Sequence, residues 1–358
     1  MGGRTRALFG LIVVVVVGVG LLHLFRTPIT AMLLDRVIER RVGRDVTQGL
    51  PEGLHVLLCG TGSPLPDPTR AGACTVIIAG RHIFVIDAGE GGARNIVQMG
   101  LPIGRVERLF LTHFHSDHID GLGPMMLLRW TGGSAQYPLP IAGPPGVEQV
   151  VAGFNAAYAP DQGYRTAHHG PISAPPAGKG GRAEPFALPG PGAVVFAEDG
   201  LRVTAFQVDH GPVQPAIGYR FDYKGRSAVI SGDTNFSPNL VRVAKGADLL
   251  IHDGLQPRMV SRITAALDAH GQHNTAQITR DIIDYHATPE RAADAARLAG
   301  VRELIFSHIV PPLPTRYAYP LFLGDAAAHF GGPITVGEDG MIFSLPAGST
   351  AIDRKKLL

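Results

Sequence analysis

Apolar and polar positions along the chain change period several times, and each change marks an element. Residues 7–25, "ALFGLIVVVVVGVGLLHLF", are apolar almost throughout. A helix of that length spans about 28 Å, one hydrocarbon thickness, and predicts a single N-terminal transmembrane helix. Arg4 and Arg6 precede it and Arg26 follows. A signal cleavage site wants small residues at −3 and −1, and Ile29 before Thr30-Ala31 fits poorly, so an uncleaved anchor ranks ahead of a cleaved signal. Arg36, Arg40, Arg41 and Arg44 weigh toward the cytoplasm against the short Arg-bearing tail. The body of the protein is expected on the periplasmic or extracytoplasmic side, with the cytoplasm as the alternative. The division is then residues 1–26 as anchor, 27–50 as an amphipathic connector and 51–350 as one large domain.

Beyond the connector come short apolar runs bounded by Gly, Pro and Asp, the pattern of strands. Leu54–Cys59 is a strand ending in the Gly60-Thr61-Gly62 turn. Residues 74–80 and 82–89 read as a hairpin about Gly80-Arg81. Residues 92–100 form a short helix closed by Gly100, and 106–112 a strand. Val147, Val150, Val151 and Phe154 share one helical face within 145–158. Residues 170–192 mix Gly and Pro without period and read as a loop, a candidate lid. Strands follow at 201–211, 217–223 and 226–233, the last two paired across Lys224-Gly225. Ser237-Pro238 opens a helix that Gly246 ends. Residues 247–253 are a buried strand, 275–285 a helix, Thr288-Pro289 opens a helix ending at Gly300, and 302–308 is the last buried strand. The apolar run 317–324 reads as core. No repeat of fixed period is present, although 54–160 and 193–345 each run strand-strand-helix-strand.

Composition changes this picture in two ways. Lys plus Arg total 32 against 30 Asp plus Glu, a net charge of +2, and seven of the basic residues lie at 4–44. That balance disfavours nucleic acid as the main partner. The two cysteines, Cys59 and Cys74, form no CxxC pair, so a thiolate zinc site is not expected. They read as two small buried thiols, with a disulfide as the alternative in an oxidising compartment.

The candidate chemistry sits at strand ends. "LTHFHSDHIDGLG" (111–123) places His113, His115, Asp117 and His118 directly after a strand. His210, Asp233 and His308 each end a further apolar strand. Strand ends facing one edge of a layered sheet are where such proteins assemble sites. One tetrahedral zinc takes three protein ligands and a water. Five imidazoles and two carboxylates suit two ions about 3.5–4 Å apart with a carboxylate between them. Imidazole and carboxylate ligation without thiolate suits zinc first, and also Fe(II) or Mn(II).

These residues resemble the metallo-β-lactamase superfamily, in its ribonuclease Z and arylsulfatase-like branch. "GTGSPLPDPTRAG", "IDAGEG", "LTHFHSDHIDGL", "VDHGPVQPAIGYRF", "SGDT" and "FSHIVPP" match in order across 54–345. The resemblance implies an α/β, four-layer αββα sandwich with its site at the edge of two sheets. It assigns one metal to His113, His115 and His210, and a second to Asp117, His118 and His308, with Asp233 bridging. Asp87 resembles the aspartate that orients a ligand, with a turn-forming role as the alternative. His286, 22 residues before His308, resembles the branch's extra catalytic histidine, and Asp253 stands where an acidic partner often sits. His273 is a rival for that role. His168 and His169 read as surface or lid.

The resemblance implies a dinuclear metal-dependent hydrolase that cleaves phosphodiesters or aryl sulfate esters by metal-bound hydroxide attack. Asp117 and Asp233 would orient the attacking group and His286 assist the leaving one. The tRNA-processing members carry a long Gly/Pro-rich arm between the third-histidine and bridging-aspartate motifs. Here only 22 residues separate His210 from Asp233. A ribonuclease Z-type tRNA 3′-processing endonuclease therefore ranks second, a lactonase third, and an anchored non-catalytic metal-binding scaffold stands as the reading from another class. The expected partners are a small-molecule ester, the membrane through the first helix, and a second copy if the chain is oligomeric.

Overall fold

The computed structural model describes residues 2–358; the side chains of Arg4 and Thr5 lie outside the described set. The chain forms two compact units, the first ending at Val46 and the second running Thr47–Leu358. The first unit holds helices Gly3–Leu24 and Arg26–Arg41. Arg6–Leu24 is long and apolar enough to cross a bilayer, a property that anchors and signal sequences share, and none of it is buried. The second helix exposes Met32, Leu33, Val37 and Ile38 as well as Arg36, Arg40 and Arg41.

The second unit is built on strands β1 (Gly53–Gly60), β2 (Cys74–Ala79), β3 (His82–Ile86), β4 (Arg108–Phe110), β5 (Leu139–Gly143), β6 (Gly181–Pro185), β7 (Ala193–Glu198), β8 (Leu201–Gln207), β9 (Ile217–Tyr223), β10 (Arg226–Ile230), β11 (Leu249–Leu255), β12 (Glu303–Val310), β13 (Ile334–Val336), β14 (Met341–Pro346) and β15 (Asp353–Lys356). They form two mixed sheets, ordered β15-β14-β1-β2-β3-β4-β5-β6 and β13-β12-β11-β10-β9-β8-β7. One core lies between the sheets, with Leu54, Val56, Ile77, Phe84 and Phe110 from the first against Val203, Tyr219, Phe221 and Ile251 from the second. Alanines 292, 293, 295, 296 and 299 of helix Pro289–Ala299 cover the outer face of the second sheet at Leu250, Leu304 and Phe306. Helices Gly92–Gln98 and Leu122–Gly133 pack on β1 and β5 of the first. Central strands covered on both faces are buried at every position, which is why β1, β2, β3 and β12 read as mostly apolar runs, broken by His55, Thr75, His82, Glu303, Ser307 and His308. Lys224 and Gly225 both take positive φ, 47° and 76°, the turn that matches strand twist, so β9 and β10 pair as expected.

Three expectations are corrected. The helix predicted over 145–158 runs Val147–Ser173, and only Gly170 breaks its backbone. The 170–192 segment is therefore no lid. It ends that helix and supplies β6, which pairs with β5 and is tied back by Asn155 through both the N–H and C=O of Gly181. Proline and glycine hid a strand here because an edge strand tolerates them. A helix at Pro257–Ala269 was not anticipated; Gln256 caps it and the expected 275–285 helix follows as His273–Asp281.

Cys59 and Cys74 form a disulfide between β1 and β2, not two free thiols. It closes a loop of sequence separation 15, which carries the Gly60–Ala73 turn toward the strand ends discussed below. The double variant Cys59→Ala/Cys74→Ala is expected to lose about 2–4 kcal/mol of unfolding free energy. A lower denaturant midpoint at unchanged slope would show it, and an unchanged midpoint would contradict it.

Candidate metal centre

The residues singled out after β4 meet those ending β10 and β12 at one edge of the sandwich. The Asp233 carboxylate is the point of convergence. Its Oδ2 lies 3.9 Å from His113 Nε2, 3.9 Å from His210 Nε2, 3.4 Å from His118 Nε2 and 3.2 Å from His308 Nε2. His115 Nδ1 sits 3.0 Å from His113 Nε2 and 3.4 Å from His210 Nε2. Asp117 Oδ2 is 3.0 Å from His308 Nε2 and 3.6 Å from His118 Nε2. Two groups result, His113, His115, His210 and Asp233, and Asp117, His118 and His308, with the ligand atoms of each within 4.8 Å of one another, and the same spacing joins Asp233 and His308 to His286. Ligands at zinc–nitrogen distance around a tetrahedral ion are about 3.3–3.4 Å apart, so the spacing fits a cation in each group.

Local backbone chemistry places these side chains. His115 caps the short helix Ser116–Ile119, which puts Asp117 and His118 in its only turn. That turn is locked by close backbone contact: a Cβ at Gly89 would fall 2.4 Å from the Asp117 carbonyl, and one at Gly121 2.3 Å from the Gly89 carbonyl. In β12 a bulge sets two residues, Ser307 and His308, opposite the single Asp253 of β11. His308 takes φ 48°, a conformation uncommon outside glycine, and the bulge turns its ring into the site. Asp87 takes φ 59° at the end of β3.

Asp87 is an orienting residue rather than a simple turn former. It accepts from the Thr112 N–H at 2.8 Å and hydroxyl at 2.9 Å, and from His118 Nδ1 at 2.9 Å. His210 Nδ1 likewise donates to the Tyr285 carbonyl at 3.0 Å. With Nδ1 engaged, Nε2 of each ring is left to face the centre. His118 Nε2 and Asp233 Oδ1 are buried without a hydrogen-bond partner. Unpaired buried donors and acceptors of this kind are what a cation would satisfy.

His286 joins the cluster. Its ring lies 5.0 Å from that of His210 and 5.4 Å from that of His308, and its Nδ1 donates to Asp253 Oδ2 at 2.8 Å. His273 does not join: it is exposed and paired with Asp268. His168 and His169 are exposed on the long helix. His252 and Tyr285 were missed. Their only sequence signal was adjacency to Asp253 and His286. A cleft of about 570 Å³ lined by His55, Arg81 and Tyr223 lies at the opposite ends of β1–β3 and shares no residue with the cluster.

The electrostatics divide the imidazoles. Burial lowers His113, His115 and His210 below the ordinary histidine range. Burial also disfavours charge on His118 and His308, but Asp233 and Asp117 outweigh it and raise both. Burial pushes Asp117 up, and His118 and His308 outweigh it, leaving Asp117 at about 2. A cation therefore meets three neutral imidazoles in one group and displaces protons from His118 and His308 in the other. Because those two are raised, affinity is expected to strengthen as pH rises above the ordinary histidine range, with proton release. Titration calorimetry with zinc in buffers of different ionisation heat checks this; an affinity independent of pH, without proton release, would contradict it.

Two mixed sheets packed face to face, with a buried His/Asp cluster at their common edge, define a metal-dependent hydrolase. The chain belongs to the beta-lactamase superfamily, in its ribonuclease Z branch. The model of the beta-lactamase superfamily domain matches residues 82–309. Ribonuclease Z of Mycobacterium avium is 38% identical over 288 residues, covering 80% of this chain and 96% of that protein. Ribonuclease Z of Mycobacterium bovis BCG is 37% identical over 293 residues, with the same coverage. Among solved structures, the short form of human tRNase Z aligns with a TM-score of 0.56 at 23% identity over 82% of this chain and 99% of that one. The metallo-beta-lactamase fold protein YhfI of Bacillus subtilis gives 0.57 at 18% over 81% and 98%. These two likenesses speak for the fold. The relatives reverse the order expected from the sequence: they favour the ribonuclease Z reading and give no support to aryl sulfate esters.

Proposed function

We propose that the chain is a dinuclear metal-dependent phosphodiesterase of ribonuclease Z type, an endonuclease that hydrolyses an RNA phosphodiester at a tRNA 3′ end. The observation that carries it is the single oxygen, Asp233 Oδ2, within 3.2–3.9 Å of four imidazoles drawn from both ligand groups. Relatives named ribonuclease Z, matched over 96% of their length, support the substrate class.

In this reading His113, His115 and His210 would hold one divalent ion and Asp117, His118 and His308 a second, with the Asp233 carboxylate within reach of both groups. Such ions, zinc first among them, activate water and neutralise charge on the phosphoryl oxygens. The chain's own residues do the rest. His118 is held in one ring orientation by Asp87, and His210 by the Tyr285 carbonyl. His286 Nδ1 is engaged by Asp253, so Nε2 is the nitrogen free to give a proton to the departing oxygen. The Asp253 carboxylate, buried and kept below the usual range by His252 and His286 against the opposing effect of burial, holds that imidazole in one orientation.

A second reading is a phosphodiesterase for small substrates on the extracytoplasmic side. The stretch from His210 to Asp233, where the tRNA enzymes place their gripping arm, is filled by β9 and β10. The Cys59–Cys74 disulfide suits an oxidising compartment.

The test is cleavage of a 3′-extended precursor tRNA and of bis(p-nitrophenyl) phosphate by the full chain in detergent, stripped and reloaded with zinc. Precursor cleavage is expected, and His286→Ala should lower it by about 10²–10⁴-fold. Turnover of the small diester alone would select the second reading. Turnover of neither by zinc-loaded protein would overturn both.

A further inference from the structure

Asp253 is touched by two histidines, His286 and one that the proposed function does not use. The second is its chain neighbour His252, whose Nδ1 donates to the Asp253 carbonyl at 2.8 Å and lies 2.9 Å from the carboxylate Oδ1. His286 Nδ1 holds the other oxygen, Oδ2, at 2.8 Å. In a regular strand neighbouring side chains face opposite sides of the sheet and do not meet. Here they do, at the one residue of β11 that faces the two-residue bulge of β12. The His252 side chain is fully buried, yet its Nε2 has no hydrogen-bond partner. Its ring lines a cavity of about 30 Å³ together with Asp233, Ser307 and His308. An apolar side chain would fill that place without leaving a ring nitrogen unpaired, so packing alone does not account for an imidazole there.

We infer that His252 is a positioning residue for the leaving-group acid: its imidazole holds the backbone carbonyl of Asp253 and stands against the carboxylate at Oδ1, so that Oδ2 stays aligned on His286. The inference rests on the phosphodiesterase reading and extends it. During hydrolysis the bond from phosphorus to the leaving oxygen breaks and a bond from phosphorus to a water oxygen forms. The proton of His286 Nε2 goes to the departing oxygen, the attacking water gives up one proton to solvent, and Nε2 takes one proton back from solvent before the next turnover. If Asp253 is free to turn about its side chain, His286 loses its fixed partner and the proton arrives off-line. The loss is greatest for a basic leaving group, which needs that proton, and least for an acidic phenol, which departs without it.

The experiment measures kcat for substituted phenyl esters of thymidine 5′-phosphate, from p-nitrophenyl to unsubstituted phenyl. It uses the zinc-reloaded full chain, His252→Leu, His252→Asn and His286→Ala. The readout is the ratio of phenyl to p-nitrophenyl rates within one sample, in which any loss of folded or metal-loaded protein cancels. His286→Ala should lower this ratio most. His252→Leu should lower it by about 10-fold or more, and His252→Asn, which keeps an N–H donor, by less. A ratio unchanged in His252→Leu, whatever the absolute rates, overturns the inference and leaves the phosphodiesterase reading standing. A ratio unchanged in His286→Ala removes the acid and the inference with it. No turnover of any ester by the unsubstituted chain leaves no acid-assisted ester cleavage for His252 to support and overturns the inference, and it removes the phosphodiesterase reading only if precursor tRNA is uncleaved as well.

Discussion

The structure depends on one electrostatic constraint: six ligand-type side chains, all but the half-buried His115 buried, surround a carboxylate that touches four of the five imidazoles. Asp233 and His113 are 3% and 0% exposed, and the ring nitrogens approach one another to 3.0 Å. Each unpaired buried polar group costs about 1–3 kcal/mol. Cations, one in each group, would offset that cost. The rest of the sandwich keeps the donors in register for them. The β12 bulge turns His308 inward, the left-handed Asp87 reaches both Thr112 and His118, and glycine contacts lock the turn that carries Asp117. These are local departures from regular backbone, and they occur where the chemistry requires them.

The two sheets supply rigidity. Side chains at strand ends inherit the precision of the strands, and the inter-sheet core of Phe84, Phe110, Tyr219 and Phe221 fixes one sheet against the other. Tyr219 links core to site directly, donating its hydroxyl to the Leu111 carbonyl two residues before His113. The disulfide pins the ends of β1 and β2 beneath the Gly60–Ala73 turn, where Arg70 bonds to Thr61 and to the Gly337 carbonyl. Asp339 gathers that turn further, accepting from Thr61, Ala71 and Asn95.

Much of this was legible in the sequence because it is local or periodic. The His-x-His-x-Asp-His run after a strand, the apolar strands ending in His210, Asp233 and His308, and the Lys224-Gly225 turn each announce themselves within a few residues. His286 was legible through a family spacing. What escaped depends on tertiary context. Gly and Pro at 170–192 concealed the edge strand β6, because edge strands make few demands on composition. The pairing of Cys59 with Cys74 depends on the register of β1 against β2, which no spacing rule gives. His252 stayed hidden because alternation puts it on the far side of β11 from Asp253, and only the bulge opposite brings them together. The order of substrates was misjudged for another reason. Charge balance and a missing arm argue about how a substrate is gripped, whereas likeness across the whole catalytic domain follows the reaction.

The central claim is that this cluster is a two-ion centre with Asp233 between the ions. The most direct measurement is the anomalous diffraction signal of crystals of the zinc-loaded chain, recorded on both sides of the zinc absorption edge. The account predicts two peaks about 3.5–4 Å apart, one among His113, His115 and His210 and the other among Asp117, His118 and His308, with the Asp233 carboxylate between them. A single peak, or zinc bound elsewhere with these side chains unligated, would contradict it.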